Sequence, residues 1–260
     1  MDLNHDGISV ILPAHRADNY LWESIDSTLV ALSNQDLKYE ILLMVNGSDS
    51  TTIFNEILQR YSPIHVRTFN LGNCGLPMAL NSGIHHATYQ YIARMDSDDV
   101  CIKTRFITAN LEWLKQYDFV FSQIKVIGLP EKTNQTFVVG EVLVRQMLRK
   151  CCVAHPTMIA RKSSLIDLNG YRNLTRSEDY DLWLRALETG KKLFVTSETV
   201  ISYRVHHGQQ TNQLGLAQTH YIDGKLKLGY ARRHISVVSF IQALISFLKF
   251  LVAKIRVWKK

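Results

Sequence analysis

The segment Tyr91-Ile92-Ala93-Arg94-Met95-Asp96-Ser97-Asp98-Asp99 closes an apolar run with three carboxylates in four residues. Charges of one sign packed so closely repel each other unless a cation shares the space. If strand geometry persists, Asp96 and Asp98 point to one side, where one hard divalent ion would be held by oxygen ligands with positions left for water or a diphosphate. Mg²⁺ and Mn²⁺ suit such a donor set. A solvated acidic turn is the plainer reading of the same residues. A second acidic group, Glu178-Asp179-Tyr180-Asp181, follows Ser177. There the serine can cap a helix and the carboxylates complement its dipole. Brought to the cation by the fold, one of those carboxylates could serve as a general base.

The order of elements suggests how the two groups meet. Gly7 to Pro13 reads as a buried strand stopped by proline, followed by Leu21, Ile25, Leu29 and Leu32 at helical spacing. A second strand, Glu40 to Val45, runs into Asn46-Gly47-Ser48-Asp49, with a helix from Thr51 to Tyr61. A third strand, His65 to Phe69, enters a glycine-bearing loop, Leu71 to Gly75. A helix from Pro77 to Ala87 and a strand over 90–95 come next. Strands alternating with helices predict an α/β, Rossmann-like fold: a mostly parallel sheet with helices on both faces and ligands beyond the carboxyl ends of its strands. Later, Phe119–Phe121 and Phe137–Val139 read as strands and Leu143–Cys151 as a helix. Trp183, at helical spacing with Leu187, belongs in the core.

The 260 residues, 46% hydrophobic and 20% charged, allow one large domain with an appendage, placed at 1–220 and 221–260. Residues 1–220 carry 21 Lys/Arg against 22 Asp/Glu, whereas 221–260 carry 9 against Asp223 alone. A nearly neutral body argues against nucleic acid as a partner and assigns the basicity to the tail. Cys74, Cys101, Cys151 and Cys152 lack Cys-x-x-Cys spacing and read as reduced thiols, and residues 1–20 resemble neither a signal nor a transit peptide. The expected location is cytoplasmic.

Taken in order, these pieces resemble the family 2 glycosyltransferases of GT-A fold. Ile8 to Asp18 is similar to that family's opening strand and donor loop, Glu40 to Ser50 to its second strand, and Leu71 to Gly83 to its glycine loop and following helix. Asp96-Ser97-Asp98 resembles its Asp-x-Asp motif, Glu178 to Arg185 its Glu-Asp segment, and Tyr203-Arg204-Val205-His206 its closing Tyr-Arg-x-His. The resemblance implies inverting transfer from a nucleotide-diphosphate sugar to a hydroxyl of a glycan or lipid-linked acceptor, in bacterial surface polysaccharide synthesis. It further implies that Asp96, Asp98 and His206 hold Mg²⁺ or Mn²⁺ and that Asp179, or Glu178 in its place, is the base. Pro13, Ala14, His15, Asn46, Asn81, Arg94, Asp96 and Ser97 fall on the donor side, with Arg204 or His207 near the diphosphate. His155 falls on the acceptor side, and turning the chain before Pro156 is an equal alternative role for it. One departure concerns the donor: Val45-Asn46 stands where many members carry two aspartates.

From Ile235 to Lys260, the residues Ser239, Gln242, Ser246, Lys249, Ala253 and Arg256 recur every three or four positions beside a broad apolar face. This C-terminal amphipathic helix is expected to lie on an anionic membrane surface, peripheral on the inner face of the cell membrane, with Lys249 disfavouring a span. Packing of the apolar face on protein is the competing reading. Two rival functions share the acidic motif. Asp96 to Val100 fits the opening motif of haloacid-dehalogenase-like phosphatases, but that motif belongs on a first strand and no later Gly-Asp pair follows. A non-catalytic nucleotide-sugar-binding membrane scaffold would have no need of so many carboxylates.

Overall fold

The computed structural model describes residues 7–107, 111–128, 136–206 and 213–258. Strand β1 (Ile8–Ala14) is buried along its whole length, as expected of an apolar run covered on both faces. It pairs in parallel with β2 (Tyr39–Val45) and β4 (Tyr91–Arg94), and β2 with β3 (Val66–Asn70). The helices between them are α1 (Asn19–Ser33), α2 (Ser50–Arg60) and α3 (Leu76–His86). β5 (Val100–Cys101), β6 (Phe119–Gly128), β7 (Gly140–Glu141), β8 (Ile159–Arg161) and β9 (Leu193–Val205) complete one sheet of order β3-β2-β1-β4-β8-β6-β9-β5, with β7 also on β9. The expected parallel sheet is thus mixed in its second half: β8 runs antiparallel to β4 and β6, and β5 and β7 antiparallel to β9.

Alternate residues of β1 feed two cores. Ile11 joins α3, α4 (Val144–Arg149), α5 (Lys162–Asp167) and α6 (Glu178–Glu188) on one face, where Trp183 is fully buried. Val10 and Leu12 join α1 and α2 on the other. The strand expected at Phe137–Val139 does not form. Phe137 spends its backbone N–H and carbonyl on the Gln123 side chain, at 2.8 and 3.1 Å, so no ladder continues and Val138 and Val139 stay exposed.

The chain ends in a helical hairpin, α7 (Gln213–His234) and α8 (Val237–Trp258). Residue 220, the expected limit of the catalytic domain, lies within α7. The amphipathic pattern of α8 is present, and the stripe that faces inward is the small and polar one. Ser239, Ala243 and Ser246 are buried, whereas Phe240, Ile241, Leu244, Leu248, Leu251 and Val252 are exposed. Gly224 leaves room for the partner helix, since a Cβ there would stand 2.7 Å from the Phe247 ring. By length and composition Val237–Ile255, of mean hydropathy 1.8, could cross a membrane despite Lys249.

Candidate active site

Strand β4 stops at Arg94, so strand alternation does not place Asp96 and Asp98 on one side as expected. A turn does the work instead. The Asp99 N–H reaches back to the Asp96 carbonyl at 3.4 Å, and oxygens of Asp96, Asp98 and Asp99 lie within 4.8 Å of one another. The turn is held from below by Arg105, which is wholly buried and donates to the carbonyls of Arg94 and, at 2.9 Å, Pro156. Ser24 of α1 donates to the Asp96 carbonyl at 2.7 Å.

Asp98 meets His206 Nε2 at 3.0 Å, and the His206 ring lies 5.4 Å from that of Tyr20. Arg204 donates its backbone N–H to Asp99 at 2.8 Å and its Nε to the Asp98 carbonyl at 2.9 Å, while its guanidinium covers Tyr20. The end of β9 is thereby fastened to the acidic turn. His207 lies outside the described residues.

These residues fit a divalent cation. Asp99 Oδ2 is buried without a hydrogen-bond partner. Burial first, then the neighbouring carboxylates, push Asp99 up to about 8; burial raises Asp96 to about 6 against the pull of Arg94. A charge placed among the three oxygens would relieve both effects. Asp99 is the member of the cluster to which the sequence reading gave no role.

The second acidic group is linked to the first through the charge of Arg94. Arg94, buried, pairs with Asp96 at 2.6 Å and also feels Tyr171, Glu178 and Asp179. Asp96 in turn feels Asp179. Burial raises Glu178, with Asp179 adding to it, and burial raises Asp179 as well. Asp179 Oδ1 accepts the Tyr180 N–H at 2.7 Å, and Oδ2 lies 3.8 Å from His155 Nδ1. His155 is buried beneath it, Nε2 on the Tyr171 hydroxyl at 2.8 Å and ring edge-on to Trp183; burial, then Arg94, lowers it well below the ordinary histidine value. Such a ring is neutral and can brace the carboxylate without neutralising it.

Two expectations about this helix change. Ser177 does not cap it: its φ is 59°, it makes no capping bond, and its hydroxyl goes elsewhere. Asp181, which as a first-turn carboxylate had no need of burial, is buried and accepts from Arg185 at 2.8 Å and Arg172 at 3.2 Å, so its charge is structural.

Where the donor residues are expected, the ends of β1 and β2 adjoin. Ala14 pairs with Val45 and Pro13 with Met44, the Asn46 N–H donates to the Ala14 carbonyl at 2.8 Å, and His15 stands against Gly47. His15 also feels Asp98 and His206, which puts it near the acidic turn; burial lowers its pKa. Ser97 is half-buried in that turn. Asn81 sits further back, its amide clamped on both sides to the Tyr171 backbone at 2.8 Å. It holds the segment that carries Tyr171. Tyr20, Arg105 and Tyr171 gave no signal in the sequence, because each acquires its role from a partner far along the chain.

An α/β sheet with an acidic turn after its fourth strand and a facing acidic helix defines the GT-A class. The sequence profile of glycosyl transferase family 2 matches residues 9–166, and the chain belongs to that family. It is 31% identical over 255 residues to the O-antigen biosynthesis glycosyltransferase WbnJ of Escherichia coli, covering 95% of this chain and 97% of that one. Two solved structures share the fold. One is S. aureus TarS 1-349 in complex with UDP-GlcNAc, at 17% identity and TM-score 0.64, covering 95% of this chain and 72% of that chain. The other is the mannosyltransferase PcManGT from Pyrobaculum calidifontis in complex with GDP-Man and Mn2+, at 12% identity and TM-score 0.64, covering 96% and 74%. Family membership sets aside the phosphatase and scaffold readings: the protein is a glycosyltransferase.

Proposed function

We propose that the chain moves a sugar, with inversion, from a nucleotide-diphosphate donor to a hydroxyl of a glycan or lipid-linked acceptor in the synthesis of a bacterial surface polysaccharide. The observation that carries this reading is that both acidic patches lie close enough to the buried Arg94 to act on its charge. A Mg²⁺ or Mn²⁺ held by Asp96, Asp98 and Asp99, with His206 as a further ligand, would neutralise the departing diphosphate. Asp179, with Oδ1 tied to the Tyr180 N–H and Oδ2 3.8 Å from His155 Nδ1, takes the proton of the acceptor hydroxyl. A raised pKa makes it a stronger base than an exposed aspartate. Pro13, Ala14, His15 and Asn46 form the wall for base and ribose, and Ser97 and Arg94 the floor beside the diphosphate. The pathway is supported by likeness to WbnJ, and a nucleotide-sugar donor by the ligands of the two solved structures.

For the tail, support comes from the exposed apolar ridge of α8 flanked by basic residues. Ser239 donates to the Lys227 carbonyl at 2.8 Å and Lys227 to Ser246 at 3.0 Å. These bonds tie α8 to the charged helix α7, which favours a hairpin lying in the interface over a span. The protein then works from the cytoplasmic face of the membrane.

The test is a thermal-shift panel of UDP-, GDP- and dTDP-sugars with and without Mn²⁺, followed by transfer assays with the donor selected. Binding that requires Mn²⁺ is expected. Asp179→Asn should lower transfer at least about a hundredfold while leaving donor binding intact, and Asp98→Ala should lose both. Equal transfer by wild type and Asp179→Asn would remove Asp179 as the base.

A further inference from the structure

The carboxylate pair at the start of α6 is not held by α6 alone. Ser177, the residue before Glu178, lies in the left-handed region at φ 59°, which residues other than glycine occupy only when their surroundings hold them there. Its carbonyl accepts the Asp181 N–H at 2.9 Å, and its hydroxyl donates to Asp223 Oδ1 on α7 at 2.7 Å. Asp223 is the single acidic residue of the last 40. One turn on, Lys227 is buried beneath the Tyr180 ring, 5.6 Å from its centroid. At the far end of α6, Glu188 accepts from Arg233 at 2.6 Å and meets His234 at 2.7 Å. Helix α7 therefore grips α6 at both ends, and its grip at the N-terminal end falls on the strained residue.

We propose that Asp223 is a positioning residue for the Glu178–Asp179 pair, fixing through the Ser177 hydroxyl the left-handed turn that aims both carboxylates at the cleft around Arg94. Helix α7 is then part of the active site. The inference rests on Asp179 acting as the base. Relaxation of Ser177 to the right-handed region would rotate the first turn of α6, and Asp179 would leave its place above His155.

The experiment compares full-length Asp223→Ala, Ser177→Ala and the double variant with Asp223→Asn, whose amide oxygen still accepts from the hydroxyl. One readout is amide hydrogen exchange over residues 176–183. The other is release of UDP and GDP from a mixture of UDP-GlcNAc, UDP-galactose and GDP-mannose with Mn²⁺ and bacterial polar lipid extract. Exchange should quicken about tenfold in both alanine variants and stay unchanged in Asp223→Asn. The kcat should fall about tenfold with donor KM unchanged, no further in the double variant, and Asp223→Asn should recover most of it. Unchanged exchange, a loss carried by KM, or losses that multiply in the double variant would each overturn the proposal. Should Asp223→Ala not fold, Ser177→Ala against Asp223→Asn makes the same comparison. Nucleotide release by none of the proteins would count against the transferase reading, and exchange would still decide the role of Asp223.

Discussion

The cation proposed at Asp96, Asp98 and Asp99 should, on removal, register first in stability. Asp96 and Asp99 have an ordinary pKa of 3.8, raised to about 6 and about 8 in the folded chain. Between those limits the folded protein keeps protons that the unfolded one has released, so stability is full below about 4 and declines as pH rises through the folded values. The EDTA-treated chain is expected to melt at progressively lower temperature from about pH 5 to about pH 8, and Mn²⁺ should restore more at the upper end. Asp99→Asn should flatten the decline. A metal-free melting temperature that rises over this range would contradict the assignment. At this scale the sequence was legible where residue type and spacing sufficed: Asp96, Asp98 and the acidic start of α6 stand out unaided. Arg105 was not legible, because its meaning lies in the carbonyls of Arg94 and Pro156, the latter 51 residues away. Ser177 misled for a related reason: its preference for capping yields to a hydroxyl partner 46 residues on.

Helices and strands of the first half follow their local patterns closely, since each is a buried apolar run or an amphipathic stripe with proline or glycine at its edge. Helix α3 shows how tightly they are fitted. Gly83 faces β1, where a Cβ would stand 2.5 Å from Ile11 Cγ2. Alanine is the better helix former by about 1 kcal/mol, yet overpacking against a central strand costs roughly 1–3 kcal/mol. Gly83→Ala is therefore expected to lower the urea midpoint without changing the denaturant slope; an increase would mean that the sheet yields more easily than its packing indicates. The second half was less legible because its elements are short and their pairing is decided by distant partners. Phe137–Val139 has strand composition, but the Gln123 amide takes the backbone groups a neighbouring strand would need. The antiparallel entry of β8 between β4 and β6 carries no local sign at all.

For the molecule as a whole, the charge split between body and tail was readable by counting, and the periodicity of α8 by inspection. Its orientation was not, because a stripe of Ser239, Ala243 and Ser246 can face water or a neighbouring helix equally well. With the apolar ridge outward, the full chain should float with anionic vesicles, and the triple substitution Phe240→Asp, Leu244→Asp, Leu251→Asp should leave it in the soluble fraction while α7 stays docked. Flotation of the triple variant equal to wild type would locate the lipid contact elsewhere.

An outward ridge also changes how the enzyme would meet its second substrate. A catalyst confined to a leaflet searches in two dimensions, and its encounter rate follows surface density rather than bulk molarity. Diluting a lipid-borne acceptor with inert phospholipid, at fixed total amount, should then slow turnover, whereas a water-soluble acceptor would be indifferent to that dilution.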